Sequence, residues 1–131
     1  MTAPAKRVLD AGQCDLDHAA ICAVLVSRFG ADVDRAHTID QALAMLRKRV
    51  YDLILVNRIL HLDRSEGIEL VRRLRSDPAL SKVPVMLISN YPQAQQEAVE
   101  AGAVPGFGKD ALHDPATECR LKPYLDSTAF A

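Results

Sequence analysis

The residues with the clearest chemical potential are an ammonium, a hydroxyl and an amide that each come at or just beyond an apolar run. Asn57, Ser89 and Lys109 hold these places, and Gly12 and Gln13 follow another such run. In parallel α/β sheets, sites form where the carboxyl ends of the strands meet, so we expect these five residues to converge. An ammonium, a hydroxyl and backbone amides can together hold a small anion, which makes Lys109 and Ser89 a candidate anion-binding pair.

Lys109 also has an interpretation that needs no ligand. A partly buried ammonium must find acceptors in any case, so we favour a hydrogen bond from Lys109 to Asn57 or to nearby carbonyls. Asp10 lies on a predicted strand, and if it is buried it needs a partner such as Lys109. Asp15 or Asp17 could rebuild an acidic site, but we favour them as caps of the first helix, where free backbone amides and the helix dipole attract a carboxylate.

Two further reactive side chains are predicted to have ordinary roles. Cys14 lies at a predicted helix N-terminus, where a thiol pKa can fall, but free cysteines are more often packing residues. His61 has no second histidine or cysteine at metal-binding spacing, so we expect a solvated loop residue. We therefore predict no catalytic residue, no metal site and no cofactor.

Apolar runs indicate five strands, at residues 7–11, 33–36, 53–56, 83–88 and 104–107. Helical spacing and end signals place five helices between and after them, at 16–29, 38–49, 67–74, 92–99 and from 115 onwards. This alternation predicts an α/β fold of the flavodoxin-like kind: a three-layer α/β/α sandwich with a doubly wound, parallel, five-stranded sheet.

Two details of the helices are also predicted. In the first helix, apolar residues recur at helical spacing at positions 19, 20, 22, 23, 26 and 29, which supports a helix over 16–29. Pro123 falls inside the last helix, so that helix should kink or stop near Lys122, because proline has no backbone N–H to donate.

Length and composition exclude several classes of function. The 131 residues fit one domain, predicted at 1–126 with a C-terminal tail at 127–131. A net charge of −1 disfavours nucleic acid and anionic membranes as partners. The longest apolar stretch, at 19–26, is far below the roughly 20 residues that cross a bilayer. Three cysteines without pairing or zinc spacing fit a reducing compartment, so we expect a cytoplasmic protein.

Several short motifs occur in an order typical of one protein family. They are DLILVN at 52–57, GIEL at 67–70, RLR at 73–75, VPVMLIS at 83–89, AGA at 101–103 and a lysine at 109. Over roughly residues 6–126 the chain resembles a response-regulator receiver domain, which implies a CheY-like fold. In that family an aspartate ending the third strand takes a phosphoryl group from a kinase, and an acidic pair after the first strand helps to hold magnesium.

The resemblance breaks at the residues that carry this chemistry. The phosphoacceptor and the acidic pair are replaced by Asn57, Gly12 and Gln13. An amide is neutral and is no carboxylate nucleophile, so we expect no acyl phosphate at residue 57. Magnesium prefers hard oxygen ligands that include carboxylates, so we expect no tight metal binding either. Lys109 and Ser89 match the lysine and the hydroxyl that contact the phosphoryl group in the family.

The predicted signalling surface also departs from the family. Gly106 stands where many members carry an aromatic switch residue on the fifth strand, and Phe107 should point to the opposite face. Family members often bind partners through the face formed by the fourth helix, the fifth strand and the fifth helix. We expect a protein partner on that face, but the sequence names neither the partner nor the oligomeric state.

Together these features predict a degenerate pseudo-receiver: a receiver fold that lacks the phosphoacceptor and acts as a phosphorylation-independent protein interaction module. Two alternatives remain open from the sequence. One is a sensor of a small ligand or anion that uses Lys109 and Ser89. The other is an active receiver whose acidic site is rebuilt around Asp10 or Asp15.

Overall fold

The computed structural model describes residues 4–126, so the predicted tail at 127–131 lies outside the described residues. The strands are β1 (Arg7–Ala11), β2 (Asp32–Ala36), β3 (Leu53–Asn57), β4 (Val85–Ile88) and β5 (Val104–Phe107). The helices are α1 (Asp15–Phe29), α2 (Ile39–Lys48), α3 (Gly67–Ser76), α4 (Pro92–Ala101) and α5 (Pro115–Leu125), with a single 3-10 turn (Lys109–Ala111) before α5.

The five strands form one parallel sheet in the order β2-β1-β3-β4-β5. The chain moves from β1 to one edge of the sheet and then returns past β1 to build the other edge. Loops leave the carboxyl ends of β1 and β3 in opposite directions, which opens a crevice between them. The predicted doubly wound α/β fold is confirmed.

Helices cover both faces of the sheet, and the central strand shows why its sequence is continuously apolar. Leu53 and Leu55 on β3 pack into one core with α1 and α5, whereas Ile54 and Val56 pack into the other core with α2, α3 and α4. Because successive strand residues point to opposite faces, a strand covered on both sides needs apolar residues at every position.

Most helix ends follow the predicted signals. The Thr38 side chain accepts a hydrogen bond from the backbone N–H of Gln41 at 3.0 Å, and the Asp114 side chain accepts one from that of Ala116 at 3.0 Å. Helix α1 ends at Gly30, which adopts a left-handed conformation with φ 63°. These contacts satisfy backbone groups that the ends of a helix leave unpaired.

The structure decides two details of the helices. Helix α1 buries Ile21 and Leu25, neither of which belongs to the apolar set noted in the sequence, because α1 is apolar around most of its circumference. Of the two outcomes predicted for Pro123, a kink or a stop near Lys122, the stop is wrong, because helix α5 continues through Pro123 to Leu125. The proline lies in the last turn and removes only the bond to the carbonyl of residue 119, while Leu125 is fully buried and holds that turn in place.

Candidate functional site

The carboxyl edge of the sheet brings together three of the five predicted site residues. Asn57 ends β3, Ser89 directly follows β4 and Lys109 follows β5, and all three line one cleft of about 260 Å³. Gly12 lies behind Asn57, and its carbonyl oxygen is 3.4 Å from the Asn57 Nδ2. Gln13 does not line this cleft, because its side chain is buried beside Asp10.

The side-chain amide of Asn57 is committed to backbone carbonyls. Its Nδ2 donates to the carbonyl oxygen of Ile59 at 2.9 Å and to that of Gly12 at 3.4 Å. A carboxylate in the same position would turn an acceptor oxygen towards two other acceptors, with no proton between them. A cation could relieve that repulsion for an aspartate, whereas the neutral amide relieves it by itself. Asn57 therefore ties β3 to the end of β1 and to its own following loop.

Any residue other than glycine at position 12 would require the surrounding structure to move. Its φ is +83°, and a Cβ atom there would lie 2.4 Å from the Cγ of Leu60, which is fully buried. The backbone N–H of His61 donates to the Gly12 carbonyl at 2.9 Å. The loop after β3 is thus packed onto the end of β1, in the space that an acidic side chain at residue 12 would need.

The loop between β3 and α3 is closed by its own hydrogen bonds. Ile59 and Glu66 form an antiparallel bridge, and the Leu60 N–H donates to the Ser65 carbonyl at 2.8 Å. The backbone N–H of Arg64 donates to the Leu60 carbonyl at 2.9 Å. Among residues 4–126, Arg64 is the one non-glycine residue with a positive φ, at 63°. This turn places Arg64 at the rim of the cleft, among its lining residues.

Lys109 does not bind Asn57 or nearby carbonyls as predicted. Its Nζ forms an ion pair with Asp17 Oδ2 at 2.7 Å, and both side chains are one-third exposed. The hydrogen bond from Lys109 lowers the pKa of Asp17, so the carboxylate is ionised at neutral pH. The ammonium prefers this acceptor, because a carboxylate adds a Coulomb attraction between opposite charges that a neutral carbonyl lacks.

The predicted capping role of Asp15 and Asp17 is also wrong. The N-cap of α1 is Cys14, which makes no side-chain cap hydrogen bond, and both aspartates lie inside the first turn. Asp15 pairs with Arg35 at 2.9 Å, and the Cys14 Sγ donates to Asp17 at 3.3 Å. The helix dipole still favours the two carboxylates there, but neither bonds a free backbone amide.

Asp10 has a partner that the sequence analysis did not find. Its side chain is completely buried, and its Oδ2 lies 2.7 Å from His18 Nδ1, not beside Lys109 as predicted. Burial raises the pKa of Asp10, and the contact with His18 offsets part of that rise. His18 precedes the buried Ile21 by three residues, so its place on the inner face of α1 is visible in the sequence once that face is known.

Cys22 completes a cysteine, histidine and aspartate series but lacks the chemistry of a catalytic triad. Its Sγ is 3.4 Å from His18 Nε2 and 4.0 Å from Nδ1, so it lies beside the ring rather than along the Nε2 lone pair. Burial, followed by the charge of Asp10, raises the pKa of Cys22, which keeps the sulfur protonated. A nucleophilic cysteine needs the opposite shift, towards the thiolate.

Gly106 is held by a residue that the sequence analysis missed. The Gln95 Oε1 accepts from the Gly106 N–H at 3.1 Å, and its Nε2 donates to the Leu87 carbonyl at 2.8 Å. A Cβ atom at Gly106 would lie 2.3 Å from the Leu87 carbonyl oxygen, so this backbone leaves no room for a side chain. Gln95 lies three residues before Ala98, the buried residue of α4, which is the sequence signal for its inward position.

No group of three or more histidine, cysteine or acidic side chains within residues 4–126 is arranged to hold a metal ion. Over the same range, no helix combines the length and the apolar character that crossing a bilayer requires.

Comparison with solved structures confirms the fold independently. A putative response regulator from Chloroflexus aurantiacus superposes with a TM-score of 0.76 at 22% identity, covering 93% of this chain and 98% of that one. The phosphorylated cyanobacterial phytochrome response regulator RcpA gives a TM-score of 0.73 at 20% identity, covering 93% and 95%. At such low identity these likenesses show the fold alone.

Sequence comparison adds the family. The chain is 32% identical over 81 residues to the gliding motility regulatory protein of Myxococcus xanthus, which covers 60% of this chain and 10% of that much longer protein. The family model of the response regulator receiver domain matches residues 15–114, which is well over half of the chain. The parallel α/β sandwich, the site at its carboxyl edge and this match lead to one conclusion: the chain belongs to the response regulator receiver domain family.

Proposed function

We propose that this receiver domain is a pseudo-receiver that works without phosphorylation, as a protein interaction module in two-component-type signalling. The observation that carries the proposal is the hydrogen bond from the Asn57 amide to the Ile59 carbonyl, at the place where the family has a carboxylate. Leu60 packed against Gly12 supports it, because the space for an acidic partner is already filled. Both features stabilise one conformation of the site without a phosphoryl group or a metal ion.

The face formed by α4, β5 and α5 is the proposed contact surface. A groove of about 580 Å³ runs between these elements, with Gly106 and Gly108 in its floor and Arg120 and Ala116 along its α5 side. Gln95 binds backbone groups of both β4 and β5 beneath it, so the surface is held by internal hydrogen bonds. A partner that recognises this face would bind the same surface whether or not phosphoryl donors are present in the cell.

Intact mass spectrometry tests the absence of phosphoryl transfer. The chain is incubated with acetyl phosphate and Mg²⁺, and we expect no stable adduct of about 80 Da, the mass of one phosphoryl group. Asn57→Asp, which restores the acceptor, is the matched variant for the same reaction. A stoichiometric adduct on the unaltered chain overturns the proposal, and substitution of each aspartate by asparagine then locates the acceptor.

Binding measurements test the contact surface once a partner has been isolated. Ala116→Arg places a long side chain in the groove and should weaken binding, whereas prior treatment with acetyl phosphate should not change it. Lys48→Ala, on the exposed end of α2, is the control variant. An affinity that changes after acetyl phosphate treatment contradicts a phosphorylation-independent module.

The two alternatives from the sequence have less support from the contacts. A sensor built on Lys109 would use an ammonium that Asp17 already neutralises at 2.7 Å. A rebuilt acidic site would need Asp10 or Asp15, but Asp10 is buried against His18 and Asp15 is a surface partner of Arg35. The described cysteines are all free, which fits a reducing compartment and our proposal of a cytoplasmic location.

A further inference from the structure

Helix α1 presents an uncharged face to solvent. Its exposed residues between positions 16 and 27 are Leu16, Ala19, Ala20, Ala23, Val26 and Ser27. Only Ser27 among them is polar, and the two large side chains are well exposed, Leu16 at 80% and Val26 at 54%. At 3.6 residues per turn these positions fall within roughly a third of the helix circumference. They form one continuous surface, which we name the α1 strip.

Helices α2 and α3 have the charged surface that a solvated helix normally has. The exposed face of α2 includes Asp40 and Arg47, and that of α3 includes Glu69 and Arg72. A helix that is apolar on all sides is normally buried on all sides. A contiguous apolar patch on the surface of a folded domain marks a contact with another molecule. Because the opposite side of α1 is already buried in the core, the α1 strip is a surface for a partner outside the domain.

The spacing of the α1 strip is symmetric about residue 21. Leu16 and Val26 lie five positions to either side of it, and Ala19 and Ala23 lie two positions to either side. Ile21 itself is buried, so the middle of the strip lies on the opposite side of the helix. A two-fold axis through that point lays α1 antiparallel on the α1 of a second copy. Leu16 of each copy then lies beside Val26 of the other, as an interface between identical surfaces requires.

The sizes of the side chains also suit a second copy. Alanines 19, 20 and 23 occupy the middle of the α1 strip, where two helices that cross must approach most closely. The larger Leu16 and Val26 lie towards the two ends, where the helix axes diverge and more space has to be filled. The strip therefore has the shape of one half of an antiparallel helix pair.

The distribution of charge favours the same occupant. The charged residues of α1 lie outside the strip and already have partners within the domain: Asp15 with Arg35, Asp17 with Lys109 and Arg28 with Glu118. A second copy therefore brings no unpaired charge into the contact, which would be costly to bury. The two-fold symmetry also places the Asp15 carboxylate, which is 95% exposed, beside the Ser27 hydroxyl of the other copy, which can donate to it.

The length of the helix limits the strength of this contact. Fifteen residues give a strip roughly 22 Å long and 10 Å wide, which is smaller than the roughly 800 Å² that each partner buries in an interface of standard size. We propose that the α1 strip is a self-association surface, through which two copies of this chain form a weak antiparallel dimer with a Kd between about 10 μM and 1 mM. This dimer goes beyond the proposed interaction module, because it uses a different face and does not depend on that module.

Sedimentation equilibrium at protein concentrations from about 10 μM to 1 mM measures the self-association. The average mass should rise with concentration from that of the monomer towards that of a dimer. Sodium chloride at about 0.5 M should not weaken the association, because the contact is apolar and salt screens only charges. A mass that stays at the monomer value up to about 1 mM overturns the proposal.

One charged substitution in the middle of the α1 strip assigns the association to this face. Ala23→Glu brings two carboxylates together in the contact and should weaken the association by at least about tenfold, because neither charge has a partner there. The control Ala44→Glu adds the same charge to the exposed face of α2 and should leave the association unchanged. Glutamate is a good helix former, so both variants should keep the far-ultraviolet circular dichroism of the unaltered chain.

A further variant separates this dimer from a contact through the groove between α4, β5 and α5. Ala116→Arg alters that groove and should leave the self-association unchanged. Three outcomes would refute the α1 contact: equal weakening by Ala44→Glu, loss of association in Ala116→Arg but not in Ala23→Glu, and full association of the double variant Leu16→Ser, Val26→Ser. Failure of the interaction module would instead show as partner binding that Ala116→Arg does not weaken.

Discussion

Replacement of Asn57 by aspartate is the sharpest test of the site, because it exchanges one atom, the donor Nδ2, for an acceptor oxygen that carries charge. The amide donates to carbonyl oxygens at 2.9 and 3.4 Å, and the variant would present an ionised oxygen to the same acceptors. Losing hydrogen bonds at a half-buried residue and adding this repulsion should cost about 1–3 kcal/mol of unfolding free energy. Lys109 cannot compensate without leaving Asp17.

Thermal and urea unfolding measure this cost. For a chain of 131 residues, each kcal/mol corresponds to roughly 4 °C in Tm. Addition of Mg²⁺ should restore part of the stability of Asn57→Asp and should not affect the unaltered chain, because only the variant offers a carboxylate for the cation. Asn57→Ala is the control, since it removes the hydrogen bonds without adding charge.

The comparison between the two variants decides whether the Asn57 amide is hydrogen-bonded to these carbonyls. Asn57→Asp without Mg²⁺ should be less stable than Asn57→Ala. If the aspartate variant is as stable as the unaltered chain in the presence of a chelator, the amide protons are not bound to these carbonyls, and our account of the site is wrong.

Three further predictions follow from particular contacts. Gly12→Ala should lower the free energy of urea unfolding by about 2 kcal/mol or more, because the residue has a positive φ and its new Cβ would clash with a buried leucine. The control Gly30→Ala, at φ +63° with nothing within 4 Å, should cost only about 1 kcal/mol, and equal costs would contradict the clash. Gln95→Leu should lower the free energy of unfolding by about 2 kcal/mol, because it leaves a backbone N–H and a carbonyl without their partner. The control Gln96→Leu, at an exposed position, should have almost no effect, and two equal effects would show that Gln95 does not hold β5. Asp10→Asn should stabilise the protein at pH 8, and this gain should shrink towards pH 4. Burial raises the pKa of Asp10, so ionisation of its carboxyl group opposes folding as the pH rises. A gain in stability that grows on acidification would contradict the raised pKa.

The sequence was sufficient for the fold and for the broad location of the site. Alternating strand and helix signals specified a parallel sheet, and the rule that sites form at strand carboxyl ends placed Asn57, Ser89 and Lys109 near one another. Two details of the helices have local causes. Several apolar faces of α1 had the same spacing, and a proline in a last turn removes only one hydrogen bond.

The contacts of individual charged groups were beyond the sequence. Lys109 could have reached several acceptors, and its choice of Asp17, 92 positions away along the chain, depends on where α1 and the loop after β5 meet in space. The same holds for Asp10 and His18, whose contact requires knowing which face of α1 turns inward. Ion pairs of this kind are set by distances of a few ångströms, which residue types and spacing do not encode.

The amino-acid sequence by itself determined that residue 57 is a neutral amide and that strands and helices alternate in a parallel α/β fold, because side-chain chemistry and hydrophobic periodicity are local properties. Only the tertiary structure decided what that amide does, because its partners at Gly12 and Ile59 come together when β1, β3 and the loop after β3 pack. It likewise decided which apolar residues of α1 enter the core and which form the α1 strip. The side of a helix that is buried depends on residues that are distant in the chain and neighbours in space.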